Sequence, residues 1–463
     1  MKNIAQDTIY ALSTHYGQSA IAVIRITGGN CKKIGRKICG IKQLKHRFAN
    51  YSKIKDLNSN LIDRGIVIYF QGPRSYTGED VLEIHTHGSV AVINALTKIL
   101  SKLAKTRPAL PGEFSKRAFL NGKRNILHFE GINNLIRSET QNQMIIANKQ
   151  VSGENSDKCF GWRDCIINNL ALVDAEIEFS DDIGKTNSKQ IKRSLIDIKN
   201  EIKLVCNRFD TTRNLLYGSR ILIIGPTNAG KSSFFNFVLQ EEKMIISPEK
   251  GTTTDQSEQS MEIFGSKVTL IDSAGIRDSK KRIEKQGIKK TLETINAVQK
   301  LIIVLSPDSF NNYNSTKIRE IFEKIKEKKA IVIFNKLDLT NFKVKYNQWT
   351  KIVPELRKMK SLAISCKQSF NDIRILKKVY KFIDSNLLHD ETINEDYYFS
   401  EVRQLDCLKS TLQNLEKALE HFDVSELCAK FLRDSLYDLD ALYGRHDDEK
   451  KLGFIFKNFC IGK

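Results

Sequence analysis

The sequence predicts a multidomain α/β protein: an N-terminal α+β domain, then a helical bundle interrupted by an inserted α/β domain on a parallel sheet. The first sign is where proline falls. All seven prolines lie at positions 73, 108, 111, 226, 248, 307 and 354, leaving 112–225 and 355–463 without any, and both stretches show helical periodicity. Ile191, Leu195, Ile198, Ile202, Val205 and Phe209 recur at spacings of four and three. Leu405, Leu408, Leu412, Leu415 and Leu419 do the same, followed by Val424, Leu427, Phe431, Leu432, Leu436 and Leu439. Each series places one apolar stripe on one face of a helix, as bundle packing requires. The second sign is a change of texture between the two stretches. Segments 220–225, 267–272, 300–306 and 330–335 are short β-rich runs separated by helical or polar residues, the alternation of a parallel sheet with crossover helices. The third is the N-terminal part, where 19–26, 65–70 and 81–87 read as strands and 90–103 as a helix.

These textures set boundaries at 1–122, 123–215, 216–384 and 385–463, and a chain of 463 residues can give each domain its own core. Hydrophobic residues make up 41%, which excludes disorder as the default. The N-terminus MKNIAQDTIYALSTH lacks the apolar core of a signal peptide. The longest apolar run, around 301–305, is a buried strand rather than a span of about eighteen residues. The expectation is a cytoplasmic protein (an organelle matrix protein in a eukaryote) with no membrane partner. Nine cysteines with no Cys-x-x-Cys pair form neither a disulfide framework nor a zinc ribbon. The formal charge of +20 has two readings: a nucleic-acid partner, or the Lys, Asn and Ile usage of an AT-biased genome. The cations are spread along the chain rather than gathered in one block.

The chemistry is written in the inserted domain. Gly225, Pro226, Thr227, Asn228, Ala229, Gly230, Lys231 and Ser232 match G-x-x-x-x-G-K-S between a predicted strand and a predicted helix that continues with Ser233. Backbone amides at such a helix start cradle phosphates, the lysine reaches the β- and γ-oxygens, and the serine hydroxyl takes Mg²⁺. About forty residues on, Asp272, Ser273, Ala274 and Gly275 end a strand, which suits a carboxylate near Mg²⁺ and a glycine amide at the γ-phosphate. Asn335, Lys336, Leu337 and Asp338 end another, offering a carboxylate to the two N–H donors of a guanine edge. Ser365, Cys366 and Lys367 fall where the base is closed off. Four elements in this order point to a Ras-like P-loop G domain and to GTP rather than ATP. Where Ras-like enzymes carry a water-orienting Gln, this chain has Ile276. Asn228 either shapes the loop or supplies a neutral oxygen to a monovalent cation that does the work of an arginine finger.

The segments GPTNAGKSSFFN, GTTTD, DSAGIRD and RIEKQGIKK resemble the G domain of the MnmE (TrmE) family, which also lies inside a helical domain. Segments 72–89 (GPRSYTGEDVLEIHTHGS) and 107–123 (RPALPGEFSKRAFLNGK) are similar to that family's N-terminal folate-binding domain, and the terminal Cys460, Ile461, Gly462 and Lys463 to its C-terminal signature. Similarity thus runs from residue 7 to residue 463, whereas Era-like GTPases share only the G motifs. The resemblance implies K⁺ held by Asn228, Ser247, Glu249 and Thr252, with Ser247, Thr252 and Thr253 lining the nucleotide. It also implies Mg²⁺ on Ser232 and Thr253, and Glu284 positioning the catalytic water. A tetrahydrofolate derivative would be held by Arg25, Glu83, Lys123 and Lys463. The family forms a homodimer and, with a flavoprotein of the MnmG type that carries FAD, a heterotetramer. Together they modify C5 of the wobble uridine of certain tRNAs. The competing class is an RNA-binding ribosome-assembly or regulatory GTPase switch, which needs neither the folate-type motifs nor the terminal Cys-Ile-Gly-Lys.

Cys460 stands four residues from the end, but lysine is a poor last residue for prenylation; a catalytic or substrate-positioning thiol and a buried structural one both remain open. His85 and His87 lack a third metal ligand and read as architecture. Departures from the family pattern include Thr254 in place of a switch arginine, Ser273, Cys366, and the segment His128, Phe129, Glu130 and Gly131.

Overall fold

The computed structural model describes residues 7–178, 188–240, 258–273, 295–296, 298–309, 325–326, 328–339, 347–351, 353–388, 397–445, 449–457, 459 and 462. Its strands are β1 (Thr8–Leu12), β2 (Ser19–Thr27), β3 (Ala49–Lys55), β4 (Leu61–Phe70), β5 (Val81–Gly88), β6 (Thr106–Pro108), β7 (Ser219–Ile224), β8 (Glu258–Ile263), β9 (Ser266–Asp272), β10 (Lys300–Leu305), β11 (Lys329–Phe334) and β12 (Ser361–Ala363). Its helices are α1 (Cys31–Cys39), α2 (Val90–Ser101), α3 (Glu113–Leu120), α4 (Ile126–Arg137), α5 (Gln141–Ser152), α6 (Glu154–Glu178), α7 (Ser188–Asn207), α8 (Phe209–Tyr217), α9 (Lys231–Val238), α10 (Ile373–Ile383), α11 (Val402–Glu420), α12 (Ser425–Leu442) and α13 (Glu449–Lys457). Contacts group the chain into two compact units.

The first unit comprises Met1–Asn133, Gln150–Ile202 and Asp406–Lys463. Its sheet runs β3-β4-β5-β2-β1-β6, antiparallel except for the β1–β6 pair. Alternate residues of β2, β4 and β5 (Ile24, Ile26, Val67, Tyr69, Leu82 and Ile84) share a core with Ile34 and Ile38 of α1 and Leu96 and Leu100 of α2. One sheet face is therefore capped by helices, and the other carries the polar side chains of Arg25, Glu83 and His85. The stripes read over 405–419 and 424–439 fall on α11 and α12, where Leu408, Leu415, Leu432 and Leu439 are buried but Val424 and Leu427, at the start of the second stripe, are exposed. Arg163 of α6 binds Asp440 of α12 at 2.8 Å. The series from Ile191 to Phe209 differs from expectation: it runs through α7 and on into α8, with Arg208 between them at φ −90° and ψ 0°.

The last helix, α13, is tied to α3 through a glycine. Gly112 caps α3 at φ +64°, and a β-carbon there would stand 2.1 Å from the carbonyl oxygen of Phe456. Phe456 in turn belongs to the core of Ala118, Ile126, Phe129 and Leu452. A Gly112→Ala chain combines a left-handed alanine with a backbone collision, so we expect a loss of at least about 2 kcal/mol. Urea unfolding followed by circular dichroism measures it, against Gly122→Ala as a control where a β-carbon meets nothing within 4 Å.

The second unit comprises Asn134–Lys149 and Lys203–Leu405. Its sheet runs β12-β11-β10-β7-β9-β8, and every pair is parallel except the β8–β9 hairpin. All four β-rich runs read from the sequence are strands of this sheet. Odd residues of β7 and even residues of β10 (Ile221, Ile223, Ile302 and Val304) pack toward Phe234 and Phe237 of α9 and Val379 and Ile383 of α10. Leu222, Ile224, Leu301 and Ile303 face the opposite layer with Trp349 and Leu356. Burial on both faces explains why these strands are continuous apolar runs. Upstream helix residues join this unit as well. Ile146 of α5 packs with Leu215, Leu216 and Tyr398, and Gln143 donates to the Leu216 carbonyl at 2.7 Å.

Candidate functional site

The three loops expected to bind nucleotide leave the C-terminal ends of β7, β9 and β11, where ligands of open parallel sheets bind. The first demands special backbone. Gly225 (φ +153°) lies where a β-carbon would stand 2.1 Å from the Val304 carbonyl. Asn228 (φ +62°) and Gly230 (φ +87°) are left-handed, turning the chain so that α9 begins at Lys231. Lys231 is only 6% exposed and donates to the Pro226 carbonyl at 3.0 Å, folded back across its own loop. Ser232 Oγ donates to Asp272 Oδ2 at 2.8 Å, so the two hard oxygens suited to Mg²⁺ are neighbours. The structure thus brings together Ser232 and Asp272, with Lys231 preceding Ser232 at the start of α9. Ser233 is exposed on α9, and Ser273 is buried with its amide donating to Ile223 O.

Asn335 connects the phosphate loop to the base-reading loop. Its Nδ2 donates to Ala229 O at 3.2 Å, while its Oδ1 accepts from the amides of Lys336 at 2.8 Å and Cys366 at 3.1 Å. Lys336 takes φ +62°, and Leu337 N donates to Ile364 O. Asp338 is left exposed, with its carboxyl held below the usual carboxylate range by the Ser365 hydroxyl and then by Lys367 and Lys336. An ionised carboxylate offers acceptors only, which fits the N1–H and exocyclic amine of guanine. Cys366 is buried and its thiol is pushed up to about 12 by burial, so it fills the core rather than reacting. A Gly230→Ala chain would set a β-carbon 2.2 Å from Asn335 Nδ2 at a left-handed position. We expect nucleotide affinity to fall at least about 100-fold while the first unit stays folded, read by titration with a fluorescent GDP.

Sequence reading passed over the support behind this loop. Ser306, at the end of β10, donates through Oγ to Asn228 O at 3.3 Å. Its own carbonyl accepts from Trp349 Nε1 at 3.2 Å and from Ser309 Oγ at 2.8 Å. All three are buried, so Asn228 is held from below by a closed polar network. A single serine after a strand carries no signal in sequence that could have revealed this.

In the first unit Arg25 and Glu83 meet across the β2–β5 ladder, Nε to Oε1 at 2.9 Å. Arg25 Nη1 also donates to the Gly462 carbonyl at 2.9 Å, Ser13 Oγ donates to the same oxygen at 3.2 Å, and the guanidinium lies 5.7 Å from the Tyr76 ring. His85, 3.4 Å away, and Arg25 hold the Glu83 carboxyl below its ordinary range. Lys123 is apart from this pair, with Nζ donating to Pro73 O at 2.8 Å. His87 binds Asp63 of β4 at 2.9 Å, and no cluster of three metal-ligating side chains occurs among the described residues. Ser247, Glu249, Thr252, Thr253, Thr254, Ala274, Gly275, Ile276, Glu284, Cys460 and Lys463 lie outside the described residues. No described helix is long and apolar enough to cross a membrane.

Fold and site together define a P-loop guanine-nucleotide-binding domain set within a helical protein. The family model described as "GTP-binding protein TrmE N-terminus" matches residues 8–123, and that described as "MnmE helical domain" matches 126–460. The chain is 37% identical to "tRNA modification GTPase MnmE" of Pelagibacter ubique over 98% of this chain and 100% of that one. It is 32% identical to the protein of the same name from Aquifex aeolicus, over 99% and 100%. It is 34% identical to "tRNA modification GTPase mss1, mitochondrial" of Schizosaccharomyces pombe, over 98% and 95%. The chain belongs to the MnmE family of tRNA modification GTPases, the family its motifs resemble.

Proposed function

We propose that this chain hydrolyses GTP to drive modification of the wobble uridine of tRNAs at C5. In this reading it works as a homodimer with an FAD-bearing flavoprotein and draws its carbon from a tetrahydrofolate. The observation that carries it is the presence, in one chain, of an assembled guanine-nucleotide site and a second polar site at Arg25 and Glu83. A simple nucleotide switch has no use for the second site.

The residues fit the groups. Ser232 Oγ and Asp272 supply oxygens for Mg²⁺, which when bound neutralises phosphate charge. Lys231 stands at the start of α9, where its ammonium and the helix's amide groups favour the same anion. Glu83 is an ionised acceptor suited to pterin N–H groups, with the Arg25 guanidinium beside it. Lys123 and Lys463 would complete the hold on the folate carboxylates, and the folate would supply the one-carbon unit.

Mass spectrometry of wobble nucleosides in tRNA from cells lacking the gene tests the reading: the C5-modified uridines are expected to disappear. Cys460→Ser is expected to abolish modification while GTP turnover stays within about twofold, because the thiol lies outside the G domain. Unaltered nucleosides in the deletion strain would leave only the GTPase.

A further inference from the structure

We propose that the outer face of α1 and the loop after it form the surface on which this protein holds RNA, an assignment that rests on the tRNA reading above. Residues 30–55 carry nine Lys and Arg and no Asp or Glu. Folding gathers most of these cations. On α1, Cys31, Ile34, Gly35, Ile38 and Cys39 are buried in the core, which leaves Lys32, Lys33, Arg36 and Lys37 exposed. The loop is then laid against the same helix. Leu44 packs on Gly35, where a β-carbon would come within 2.7 Å, and Arg36 Nε donates to Lys42 O at 3.2 Å. Arg47 takes φ +56° and its amide donates to Tyr69 O at 2.7 Å. This pinning fixes the exposed Lys42, Lys45 and Arg47 beside the helix, with the half-exposed ring of Phe48 5.8 Å from Lys45 Nζ.

The arrangement is unfavourable in the free protein. Lys32 with Arg36 and Lys33 with Lys37 are like charges one turn apart, each costing about 0.2–0.5 kcal/mol. No ion pair to any of these seven cations occurs among the described residues. A polyanion supplies the missing counter-charges, and Phe48 offers a stacking face for an unpaired base. An anionic membrane fits less well. A helix that lies in a bilayer interface needs a free apolar face, and the apolar face of α1 is consumed by the core.

The test uses the full-length protein and an unmodified tRNA transcript, with affinity read by fluorescence anisotropy between about 50 and 300 mM KCl. One variant combines Lys32→Gln, Lys33→Gln, Arg36→Gln and Lys37→Gln. A control removes the same charge from the exposed side of α10: Arg374→Gln, Lys377→Gln, Lys378→Gln and Lys381→Gln. The α1 variant is expected to bind at least about tenfold more weakly, with a salt slope shallower by about two to three. The control should change little, and GTP turnover should be unchanged in both. Lys32→Arg, Lys33→Arg and Lys37→Arg together should retain binding, which separates charge from misfolding. Equal weakening in variant and control would mean net charge alone and overturn the surface. So would a variant that keeps tRNA but loses vesicles containing phosphatidylserine. A wild-type protein that binds tRNA beside a variant that binds equally overturns the surface only. A wild-type protein that binds no tRNA overturns the substrate reading with it.

Discussion

An Asp338→Asn protein is expected to lose GTP by about two to three orders of magnitude and to gain xanthosine triphosphate. The exposed Asp338 carboxyl is kept ionised by Ser365, Lys367 and Lys336, so both its oxygens accept. Guanine presents two donors, N1–H and the exocyclic amine, and the amide of Asn can answer only one of them while setting its own N–H against the other. Each mismatch of this kind costs about 1–3 kcal/mol, and each 1.4 kcal/mol is a factor of about ten. Xanthine carries a carbonyl where guanine has its amine, so the new donor finds an acceptor. The backbone should change little, because Asn335 and the bond from Leu337 N to Ile364 O also fix the loop, and Asn keeps a carbonyl oxygen to accept from Ser365 or from its own amide. Calorimetric titration with both nucleotides measures the switch. Undiminished GTP affinity would remove Asp338 from the base contact. The acidic side of the pH profile follows from the same residue. Its folded pKa is depressed, so the charge-dependent part of base recognition holds above the ordinary Asp range and fades as pH falls toward the lowered value.

The G domain was legible because its strands are buried on both faces. A doubly covered strand such as β10 is apolar from Leu301 to Leu305, its one buried cation, Lys300, being answered by Ser219 Oγ at 2.8 Å, and its loops must carry residues that chemistry dictates. The first unit was less legible. β3 (ANYSKIK) buries only Ile54 and lies at the sheet edge, where lysine is favoured against unwanted pairing. β6 contains Pro108, which an edge strand tolerates. The helical stripes announced bundle helices but not their ends, and nothing in the Ile191–Phe209 spacing marks the turn at Arg208. Site residues followed the same rule. Those in loops of fixed spacing could be named, whereas Ser306, Trp349 and Tyr76 act through single hydrogen bonds or ring contacts that arise only when distant segments meet. Gly462 stood within the C-terminal signature, yet only the fold shows its carbonyl accepting a hydrogen bond from Arg25 Nη1. Among the described departures, Gly131 on α4 has a visible structural reason. A β-carbon there would stand 2.8 Å from Gln150 of α5, and His128 one turn earlier binds the Val151 carbonyl at 2.8 Å.

Turnover of GTP is expected to be at least about tenfold faster in KCl than in NaCl, and to require two chains. Hydrolysis needs positive charge near the transferring phosphoryl group and a positioned water. Ile276 cannot hydrogen-bond to that water, so an isolated chain should be slow. Asn228 is the described residue placed to help. It is exposed and left-handed, its carbonyl is held by Ser306 Oγ, and no described residue hydrogen-bonds its side-chain amide. A neutral amide oxygen on a fixed loop suits a large, weakly hydrated cation better than a small one, which would have to shed a tighter water shell. Such a cation supplies the charge that an arginine supplies elsewhere, and Ser247, Glu249 and Thr252 would complete its ligands. Thr254, in place of the switch arginine, should lower the rate without altering the preference for K⁺. Asn228→Ala should leave GDP affinity within about threefold, since the phosphates are held by backbone amides, and should abolish the advantage of KCl. The measurements are turnover in each salt and light scattering with GDP and aluminium fluoride, where pairing of G domains should raise the apparent mass in KCl alone. Equal rates in the two salts, with no K⁺-dependent pairing, would show that this chain positions its water without a monovalent cation.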